Sequence, residues 1–588
     1  MSTPFIRGQM MEQPLLISSI LTHASQAHAT TEVVSSTATG AVVRSTWGQL
    51  AGRAAQLAHA LDALGIKRET RVGTLAWNSA RHLELYYAVP GMGAILHTIN
   101  PRLFPEQLRY IVNDAADQAV FFDPALLPLV ASLAADLPTV RHWVALCNAG
   151  ELAAAVSEAT AAAGKALAPD DAAAAQATMA RRLAALPDLR DYESLLQTQP
   201  TTFAWPELPE TAAAALCYTS GTTGNPKGVL YSHRSTLMHS LVSIAPDVLN
   251  LSARDTVLPV VPMFHVNAWG LPFSGGIVGC KMVMPGARLD GDSVFDLLDS
   301  EAVTISVGVP TVWLSLLQTM RARGRKPSAL KRLMVGGAAC PPALSDAYVN
   351  EFGIEVLHGW GMTETSPIAA LAAPRNTTPA EVAATLRYRQ GRALFGIRIE
   401  IFDQAGQPVV HDGRSTGNLM VRGHWVADSY FPAGRAQSPL VDGWFPTGDV
   451  ANIDHEGIVQ ITDRSKDVIK SGGEWISSID LENAALAHPG VAEAAAIGLP
   501  HPKWDERPLL LVVRREGAQV TREQVLDVLS GKVARWWLPN DVIFVQSLPH
   551  TATGKISKLT LRQEYRDYRF ADVEPIVTHA ARATAAGQ

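Results

Sequence analysis

Short apolar runs alternate with helix-forming stretches in the first part of this chain, and this alternation constrains the fold more than any other feature. The apolar runs at 72–76, 119–122 and 143–146 have the length of buried strands, and 105–115 has the pattern of a helix. Such alternation is typical of layered α/β folds. We therefore expect an α/β protein.

The clearest helix is predicted from Thr46 to Gly65. Its apolar face carries four leucines, Leu50, Leu57, Leu61 and Leu64. Thr46 and Gln49 have the spacing of a capping box, and Gly65 is a typical helix stop. A second stretch, from about 148 to 186, is rich in alanine and poor in large apolar residues, so we expect an exposed helical insertion without assigned chemistry. We expect the Ala-rich tail at 577–588 to be frayed.

Length and charge narrow the class of protein. With 588 residues the chain exceeds the size of a single core, about 250–300 residues, so several packed units are expected. The 49 basic residues face 55 acidic ones, a formal net charge of -6 without a basic run, which argues against nucleic acid and anionic membranes as partners. The chain has no apolar run of about 18 residues, and its N-terminal stretch lacks a secretory apolar core.

The four cysteines lie dozens of residues apart, which is too far for a redox motif or a zinc site. They are Cys147, Cys217, Cys280 and Cys340. We expect reduced, buried thiols, and this cysteine usage favours a cytoplasmic protein.

One segment combines glycines, hydroxyl residues and a lysine, which are residue types suited to anion binding. Residues 218–228, Tyr-Thr-Ser-Gly-Thr-Thr-Gly-Asn-Pro-Lys-Gly, stand between apolar runs at 212–217 and 229–231. Glycines let backbone N–H groups approach an anion, hydroxyls add donors and Lys227 supplies a cation, a combination that suits a polyphosphate. The segment is not a Walker A loop, because Pro226 stands where that motif needs glycine. The alternative for a generic Gly-rich loop is an ordinary surface hairpin.

These eleven residues resemble, position for position, the phosphate loop of the acyl-adenylate-forming superfamily, which contains acyl-CoA synthetases, luciferases and the adenylation domains of peptide synthetases. Six further stretches resemble motifs of that superfamily in the same order: 263–270, 336–339, 358–365, 442–449, 463–475 and 553–555. The resemblance extends roughly from Thr46 to Lys558.

The resemblance implies an α/β fold with a large N-terminal domain of layered α/β subdomains and a small, mobile α+β C-terminal domain. We expect an adenylate-forming domain at 1–463 and a lid domain at 464–588. Lys466 stands at the family's hinge, about which the lid rotates between two chemical steps. Rotation is needed because Lys555 and Gly473 are both implied to face the active site, each in a different step.

The implied reaction joins a carboxylic acid to coenzyme A, with ATP and Mg²⁺. The acid attacks the α-phosphate of ATP to give an acyl-adenylate and pyrophosphate, and the thiol then displaces AMP. A carboxylic acid with a pKa of about 4.3 is already ionised at pH 7, so the first step needs positioning and charge neutralisation rather than a base.

Residues that match the family motifs receive implied roles. Catalysis is implied for Lys555, Glu364, Thr219 and His265, and metal ligation for Thr219 and Glu364. Nucleotide contacts are implied for Thr219, Ser220, Gly221, Thr222, Thr223, Gly224, Lys227, Gly337, His358, Gly359, Trp360, Thr363, Asp449, Arg464, Lys470 and Trp475. Among these, Asp449 would accept the ribose hydroxyls and Trp360 would stack near adenine. The acyl pocket would include Val266, Trp269 and Gly337, and Gly473 would leave room for the pantetheine arm of CoA.

The stretches 266–269, 473–478 and 501–508 look like the medium- and long-chain fatty acyl-CoA synthetase branch, in which a tryptophan gates an acyl tunnel. We therefore expect an AMP-forming ligase for a medium- or long-chain fatty acid. The alternatives are a 3-methylmercaptopropionate-CoA ligase, acting on a short thioether acid, and an adenylation enzyme that loads a carrier protein in trans. The sequence does not reveal which side chains close the tunnel.

Other classes are disfavoured. Residues 413–417 form a formal G-x-S-x-G, but they run into a strand-like stretch rather than opening a helix, which argues against a hydrolase with Ser415 as nucleophile. The motifs leave a luciferase-like oxygenase open, although the C-terminus lacks a peroxisomal SKL signal. Expected partners are small-molecule substrates, without nucleic acid or integral membrane association, and a homodimer is left open.

Overall fold

The computed structural model describes residues 6, 8–37, 40–165, 168–219, 225–432, 438–472, 474–550 and 556–570. Its strands are β1 (Glu32–Ser36), β2 (Val42–Thr46), β3 (Arg71–Leu75), β4 (Ile95–Thr98), β5 (Ala119–Phe122), β6 (His142–Ala145), β7 (Leu189–Asp191), β8 (Ala213–Tyr218), β9 (Gly228–Ser232), β10 (Thr256–Pro259), β11 (Lys281–Met284), β12 (Ile305–Gly308), β13 (Arg332–Val335), β14 (Glu355–Gly361), β15 (Ile368–Leu371), β16 (Arg392–Ala393), β17 (Ile397–Phe402), β18 (Gly417–Gly423), β19 (Phe445–Ile453), β20 (Val459–Arg464), β21 (Ile469–Ser471), β22 (Glu474–Ile476), β23 (Val491–His501), β24 (Asp505–Arg514) and β25 (Asp541–Val545).

The helices are α1 (Ile17–Ala27), α2 (Trp47–Ala63), α3 (Ala80–Gly91), α4 (Pro105–Ala115), α5 (Leu127–Leu133), α6 (Ala149–Ala162), α7 (Pro169–Ala184), α8 (Tyr192–Leu196), α9 (His233–Ser243), α10 (Leu271–Val278), α11 (Gly291–Ser300), α12 (Pro310–Arg323), α13 (Pro342–Phe352), α14 (Ala380–Leu386), α15 (Ser478–Leu486), α16 (Arg522–Ser530) and α17 (Lys558–Glu564). Short 3₁₀ segments lie at Pro124–Leu126, Ala134–Asp136, Val266–Gly270, Thr363–Thr365 and Arg535–Trp537.

A seven-stranded sheet has the order β7-β6-β5-β3-β4-β8-β9. Its strands are parallel except for the last pair, β8 and β9, which run antiparallel. The three apolar runs expected to be strands are β3, β5 and β6, and the helix expected at 105–115 is α4. The alternation of strands and helices therefore produces parallel pairing, as expected for an α/β layer.

A nine-stranded sheet has the order β16-β15-β14-β13-β12-β10-β11-β1-β2. Its central pairs are parallel, and its two ends are antiparallel. The site described below lies around the carboxyl ends of β8, β13 and β14 and the middle of β19. In open α/β sheets, the carboxyl ends of the strands are the usual place for ligands.

Two smaller sheets follow along the chain. An antiparallel sheet contains β17, β18, β19 and β20, and the C-terminal sheet contains β22, β21, β24, β23 and β25. Helices α15 and α16 and the last helix α17 pack with the C-terminal sheet. The expected α/β fold, with a large N-terminal domain and a smaller C-terminal one, is confirmed.

The helix predicted from Thr46 forms as α2. The Thr46 hydroxyl accepts a hydrogen bond from the backbone N–H of Gln49, and Gly65 ends the helix with a φ of 81°. The Ala-rich segment forms two helices, α6 and α7, which are mostly exposed but bury Ala159 and Leu183 against the neighbouring core. The described residues of this insertion add a small apolar contact to the core.

Three further expectations about the chain can be compared with the structure. All four cysteines are free and buried, as expected. Ser415 lies in a turn held by Asp412 and is followed by strand β18, so it does not form a nucleophile elbow. In the described part of the chain, every helix is too short or too polar to cross a membrane.

Candidate active site

The two ends of the predicted phosphate loop are joined by a hairpin. Strands β8 and β9 pair antiparallel, and beyond them the Thr219 N–H donates to the Lys227 carbonyl at 2.9 Å. The Lys227 N–H in turn donates to the Thr219 hydroxyl at 3.2 Å. Ser220, Gly221, Thr222, Thr223 and Gly224, for which nucleotide contacts were implied, lie outside the described residues. The structure therefore places the base of the loop.

Tyr430 connects this loop base to Glu364. The Lys227 ammonium lies 4.8 Å from the centre of the Tyr430 ring, within the range of a cation–π interaction. The Tyr430 hydroxyl donates to Glu364 Oε1 at 2.8 Å. The next residue, Phe431, donates its N–H to the Gly228 carbonyl at 2.8 Å. Tyr430 therefore contacts both the Lys227 ammonium and the Glu364 carboxylate, which lie far apart in sequence.

Glu364 is a buried carboxyl group, 6% exposed, in the 3₁₀ segment Thr363–Thr365. Burial raises its pKa, whereas the Tyr430 hydrogen bond and the charges of Arg464 and Lys227 lower it. A bound cation would stabilise the charged form of this buried carboxylate. Mg²⁺ is usually held by one or two carboxylates together with substrate phosphates. Glu364, together with the hydroxyl of Thr219 at the loop base, fits that description.

The carboxylate is not part of a preformed metal cage. Throughout the described residues, no group of three or more His, Cys, Asp or Glu side chains is arranged to hold an ion. The Thr363 carbonyl accepts a hydrogen bond from the Tyr231 hydroxyl at 2.6 Å, which fixes the segment that carries Glu364. The site therefore suits a metal that arrives with a polyphosphate.

Asp449 lies on β19, 3% exposed, with two partners on its carboxylate. The Trp360 indole N–H donates to Oδ2 at 3.0 Å, and the Arg464 guanidinium pairs with Oδ1 at 2.9 Å. A carboxylate has about four acceptor positions, so two remain for other donors. Trp360, implied to stack near adenine, thus also orients Asp449.

His358 and Gly359 lie on β14 beside Trp360. His358 is buried, and burial lowers its pKa to about 4, so the ring is neutral at pH 7. Its Nδ1 has no hydrogen-bond partner among the described residues. A side chain at Gly359 would meet Met334 at 2.6 Å, so glycine permits the close packing of β13 and β14. Both residues lie in the carboxyl half of β14, and their nucleotide contacts stay a prediction.

The segment Val266–Gly270 adopts an unusual backbone. Its five residues have φ values of 46°, 51°, 48°, 57° and 80°, so it forms a left-handed turn. Four of these residues are not glycine, and each such residue costs roughly 1–2 kcal/mol in this conformation. His265 begins the turn, and its carbonyl accepts from the Ala268 N–H at 3.2 Å. A strained segment of this kind persists only where its surroundings hold it.

The turn places the Trp269 ring beside Gly336 and Gly337, the two glycines that follow β13. A Cβ atom at Gly336 would lie 2.8 Å from the Trp269 ring, and one at Gly337 would lie 3.6 Å from it. Gly337 also has a φ of 76°, which favours glycine. Val266, Trp269 and Gly337, implied to line the acyl pocket, are therefore brought together or lie on the same turn.

The remaining implied residues lie at or beyond the end of β20. Lys470 and Trp475 face each other across the pair β21 and β22. Lys466 lies between β20 and β21 with an exposed side chain, and partial desolvation lowers its pKa. Gly473 and Lys555 lie outside the described residues. Three residues after Lys555 in the sequence, the partly buried Lys558 pairs with Glu482 at 2.7 Å and anchors the start of α17.

Sequence reasoning missed the side chains that hold these groups in place. They are Tyr430 on Glu364, Tyr231 on Thr363, and Tyr86, Cys217 and Asn267 around the left-handed turn. Each acts through a tertiary contact, and no local pattern marks it. The one available signal was Asn267, because asparagine tolerates a positive φ better than most residues.

Comparison with known proteins shows which family the chain matches. The chain matches the AMP-binding enzyme family over residues 21–431 and its C-terminal domain family over 480–555. It is 48% identical to a 3-methylmercaptopropionyl-CoA ligase of Ruegeria lacuscaerulensis, over 95% of this chain and 99% of that protein. It is 46% identical to a medium-chain-fatty-acid–CoA ligase of Ectopseudomonas oleovorans, over 95% of this chain and 98% of that protein. It is 43% identical to a long-chain-fatty-acid–CoA ligase of Thermus thermophilus, with 95% and 97% coverage.

Solved structures agree with the fold. The anthranilate CoA ligase AuaEII, in complex with anthranoyl-AMP, has a TM-score of 0.79 at 25% identity, covering 94% of this chain and 98% of that one. ATP-bound MatB from Rhodopseudomonas palustris has a TM-score of 0.74 at 25% identity, covering 94% and 99%. The expected enzyme class, an acid–thiol ligase with adenylate-forming chemistry, is confirmed by these relatives. The chain therefore belongs to the family of AMP-binding enzymes.

Proposed function

We propose that this chain acts in the cytoplasm as an ATP-dependent ligase that converts a medium- or long-chain fatty acid and CoA into acyl-CoA, AMP and pyrophosphate. The observation that carries the proposal is the placement of the Lys227 cation and the buried Glu364 carboxylate on one tyrosine, at the base of a Gly-rich loop. The CoA ligases with 43–48% identity over nearly the whole chain support the acid and thiol substrates.

In the first step, a carboxylate oxygen of the acid attacks the α-phosphorus of ATP, and the bond from that phosphorus to the bridging oxygen breaks. Pyrophosphate leaves with the electron pair. Mg²⁺, when bound by Glu364 and Thr219, would neutralise charge on the phosphates. Lys227 supplies a further positive charge at the loop base, and Lys555 would bridge the acid and the α-phosphate. His265, at the start of the left-handed turn, is proposed as a further catalytic residue.

The nucleotide is held beside the middle of β19 in this proposal. Asp449 accepts the ribose hydroxyls with the two acceptor positions that Trp360 and Arg464 leave available. His358, neutral at pH 7, offers its Nδ1 close to the base, and Gly359 keeps β14 packed closely on β13 beside it. Lys470 and Trp475 would join the nucleotide from the small sheet.

In the second step, the CoA thiol loses its proton to solvent, the sulfur attacks the acyl carbon, and AMP leaves. We place the domain boundary at 463/464 and the hinge at Lys466, because β20 completes the antiparallel sheet at Arg464 and β21 begins the C-terminal sheet at Ile469. A rotation there would replace Lys555 by Gly473 at the active site.

A short thioether acid is the second candidate substrate. The specific observations in its favour are the 3-methylmercaptopropionyl-CoA ligases at 48% identity, and the closed position of Trp269 on Gly336 and Gly337. Because each buried methylene contributes about 0.8 kcal/mol, an open pocket rewards long chains and a closed one does not. Pocket depth therefore separates the two substrates.

The test is a chain-length series of kcat/KM, from propionate through C16 and including methylthiopropionate, with CoA and a carrier protein as alternative acceptors. The proposal expects acyl-CoA, AMP and pyrophosphate in equal amounts, with a maximum at medium or long chains. A maximum at methylthiopropionate would support the second candidate. Product formation only with the carrier protein would contradict both.

Replacing Tyr430 by phenylalanine should weaken Mg²⁺ binding in the first step. The ring, and with it the Lys227 contact, is kept, but the hydrogen bond to the Glu364 carboxylate is lost. Hydrogen bonds to charged groups contribute about 1.5–3 kcal/mol, so the Mg²⁺ concentration for half-maximal pyrophosphate exchange should rise about tenfold or more. Tyr430→Leu, which also removes the ring, should additionally raise KM for ATP. An unchanged Mg²⁺ dependence in Tyr430→Phe would contradict this role.

Proline at position 466 should damage thioester formation more than adenylation. Lys466 lies in the short connection between β20 and β21, and proline fixes the φ angle that a hinge must change. The measurement compares acid-dependent pyrophosphate exchange with CoA-dependent release of acyl-CoA. Lys466→Ala serves as the control, because it removes the charge and keeps backbone freedom. An equal loss of both activities in Lys466→Pro would argue against a hinge.

A further inference from the structure

The left-handed turn before Trp269 is held by a buried polar brace, which consists of Tyr86, Cys217 and Asn267. The Asn267 side-chain oxygen accepts from the Tyr86 hydroxyl at 3.3 Å and from the Cys217 thiol at 3.5 Å. All three side chains are buried. The Tyr86 hydroxyl also donates to the Met263 carbonyl, at the approach to the turn. The brace therefore holds the left-handed turn through Asn267, the second residue of the turn.

The brace is anchored in two other elements. Cys217 lies on β8, the strand that leads into the phosphate loop, and its thiol lies 3.1 Å from the Thr98 hydroxyl on β4. Tyr86 lies on α3. Because both anchors belong to a rigid part of the fold, the position of Asn267 is fixed from outside the turn.

The brace also reaches the nucleotide side of the site. The Tyr231 hydroxyl contacts the Cys217 thiol and donates to the Thr363 carbonyl, next to Glu364. The base of the phosphate loop, the segment of Glu364 and the turn that carries Trp269 therefore share one buried set of polar contacts. Removing one member would change the turn without touching either substrate.

We propose that Asn267, held by Tyr86 and Cys217, is a positioning residue that determines acyl selectivity by fixing Trp269 against Gly336 and Gly337. The proposal rests on the proposed function, in which Trp269 forms a wall of the acyl pocket. If the turn relaxes to ordinary backbone, the Trp269 ring leaves the two glycines and the wall moves. Since one methylene changes kcat/KM by about fourfold in a well-fitted pocket, a moved wall appears directly in the chain-length profile.

Two substitutions at one position separate the side chain from the backbone. Asn267→Ala removes the acceptor and keeps the cost of a positive φ, so the turn should relax. Asn267→Gly also removes the acceptor, but glycine adopts a φ of 51° without that cost, so the turn should persist. The readout is the ratio of kcat/KM between the best acid and acids four carbons shorter and longer, together with KM for ATP.

We expect Asn267→Ala to reduce these ratios about tenfold or more, with KM for ATP within about twofold of wild type. Asn267→Gly should keep the wild-type profile. Tyr86→Phe, which leaves the Cys217 contact, should shift the profile in the same direction as alanine and by less, and it serves as the second variant if Asn267→Ala does not fold. Ser306→Ala, which removes a buried hydrogen bond to the Leu258 carbonyl on another strand, is the stability control and should leave the profile unchanged.

A profile of Asn267→Ala that superimposes on wild type, or an equal fall in kcat/KM for every acid, would overturn the proposal. Equal changes in the glycine and alanine variants would overturn it as well, because the backbone would then not be the mediator. Failure of the proposed function is a separate result, since wild-type protein would then form no acyl-CoA from any acid in the series.

Discussion

Glu364→Gln is expected to lower acid-dependent pyrophosphate exchange by roughly a thousandfold, the scale at which loss of one electrostatic contact to a transition state is felt. Glutamine has the same shape and can still accept the Tyr430 hydrogen bond, so the local structure should be kept. What is lost is the negative charge, on which the proposed Mg²⁺ binding depends. Exchange of labelled pyrophosphate into ATP, measured over a range of Mg²⁺ concentrations, gives the effect.

The second half-reaction provides an internal control for this variant. Pyrophosphate has already left when CoA reacts, so thioester formation from supplied acyl-adenylate should fall by less than about tenfold. Glu364→Asp, which keeps the charge on a shorter side chain, should recover part of the exchange. Glu351→Gln removes a surface glutamate that pairs with Arg321 and should behave as wild type. Equal losses in both half-reactions would indicate a structural role for Glu364 instead.

Lys555→Ala is expected to abolish exchange, by about a thousandfold or more, and largely to spare thioester formation from supplied acyl-adenylate. A lysine that bridges the acid and the α-phosphate both neutralises charge and holds the reacting atoms in position, and only the first step needs that bridge. Both half-reactions should be measured on the same preparation, since their ratio does not depend on the fraction of folded protein.

The neighbouring lysines make this test specific. Lys558 is partly buried and contacts Glu482 and Ser478, so its charge is already paired within the small domain. Lys532 is exposed, and Lys532→Ala should leave both half-reactions at wild-type rates. Unchanged exchange in Lys555→Ala would remove this residue from the mechanism and would leave Lys227 as the cation to test next.

The parts of the fold that could be predicted are those in which a local pattern decides the structure. The runs that became β3, β5 and β6 are mostly apolar because parallel strands are buried on both faces, and α4 appears at the predicted residues. Helix α2 begins at its capping threonine and ends at glycine. In each case the residues that determine the element lie within it.

The site was predictable only as far as its motifs extend. Lys227, Glu364 and Asp449 could be named, but Tyr430 lies 66 residues from Glu364 and meets it only in the folded chain. The left-handed turn contradicts the local preferences of Val266, Ala268 and Trp269, and it exists because tertiary contacts outweigh them. That Trp360 donates to Asp449 likewise depends on the meeting of two sheets. The chemical groups of the site can be identified from local motifs, whereas their orientation depends on tertiary contacts.

The burial of all four thiols makes the wild-type chain a ready background for site-specific labelling. Burial raises the pKa of Cys147 and Cys340 to about 12 and that of Cys217 to about 11, and it raises the pKa of Cys280 further, so little thiolate exists at neutral pH. A maleimide dye would therefore react with cysteines introduced at the surface. A donor dye at Glu158→Cys on α6 and an acceptor dye at Glu516→Cys in the small domain would report the proposed domain rotation by energy transfer during turnover. All four native cysteines would be kept.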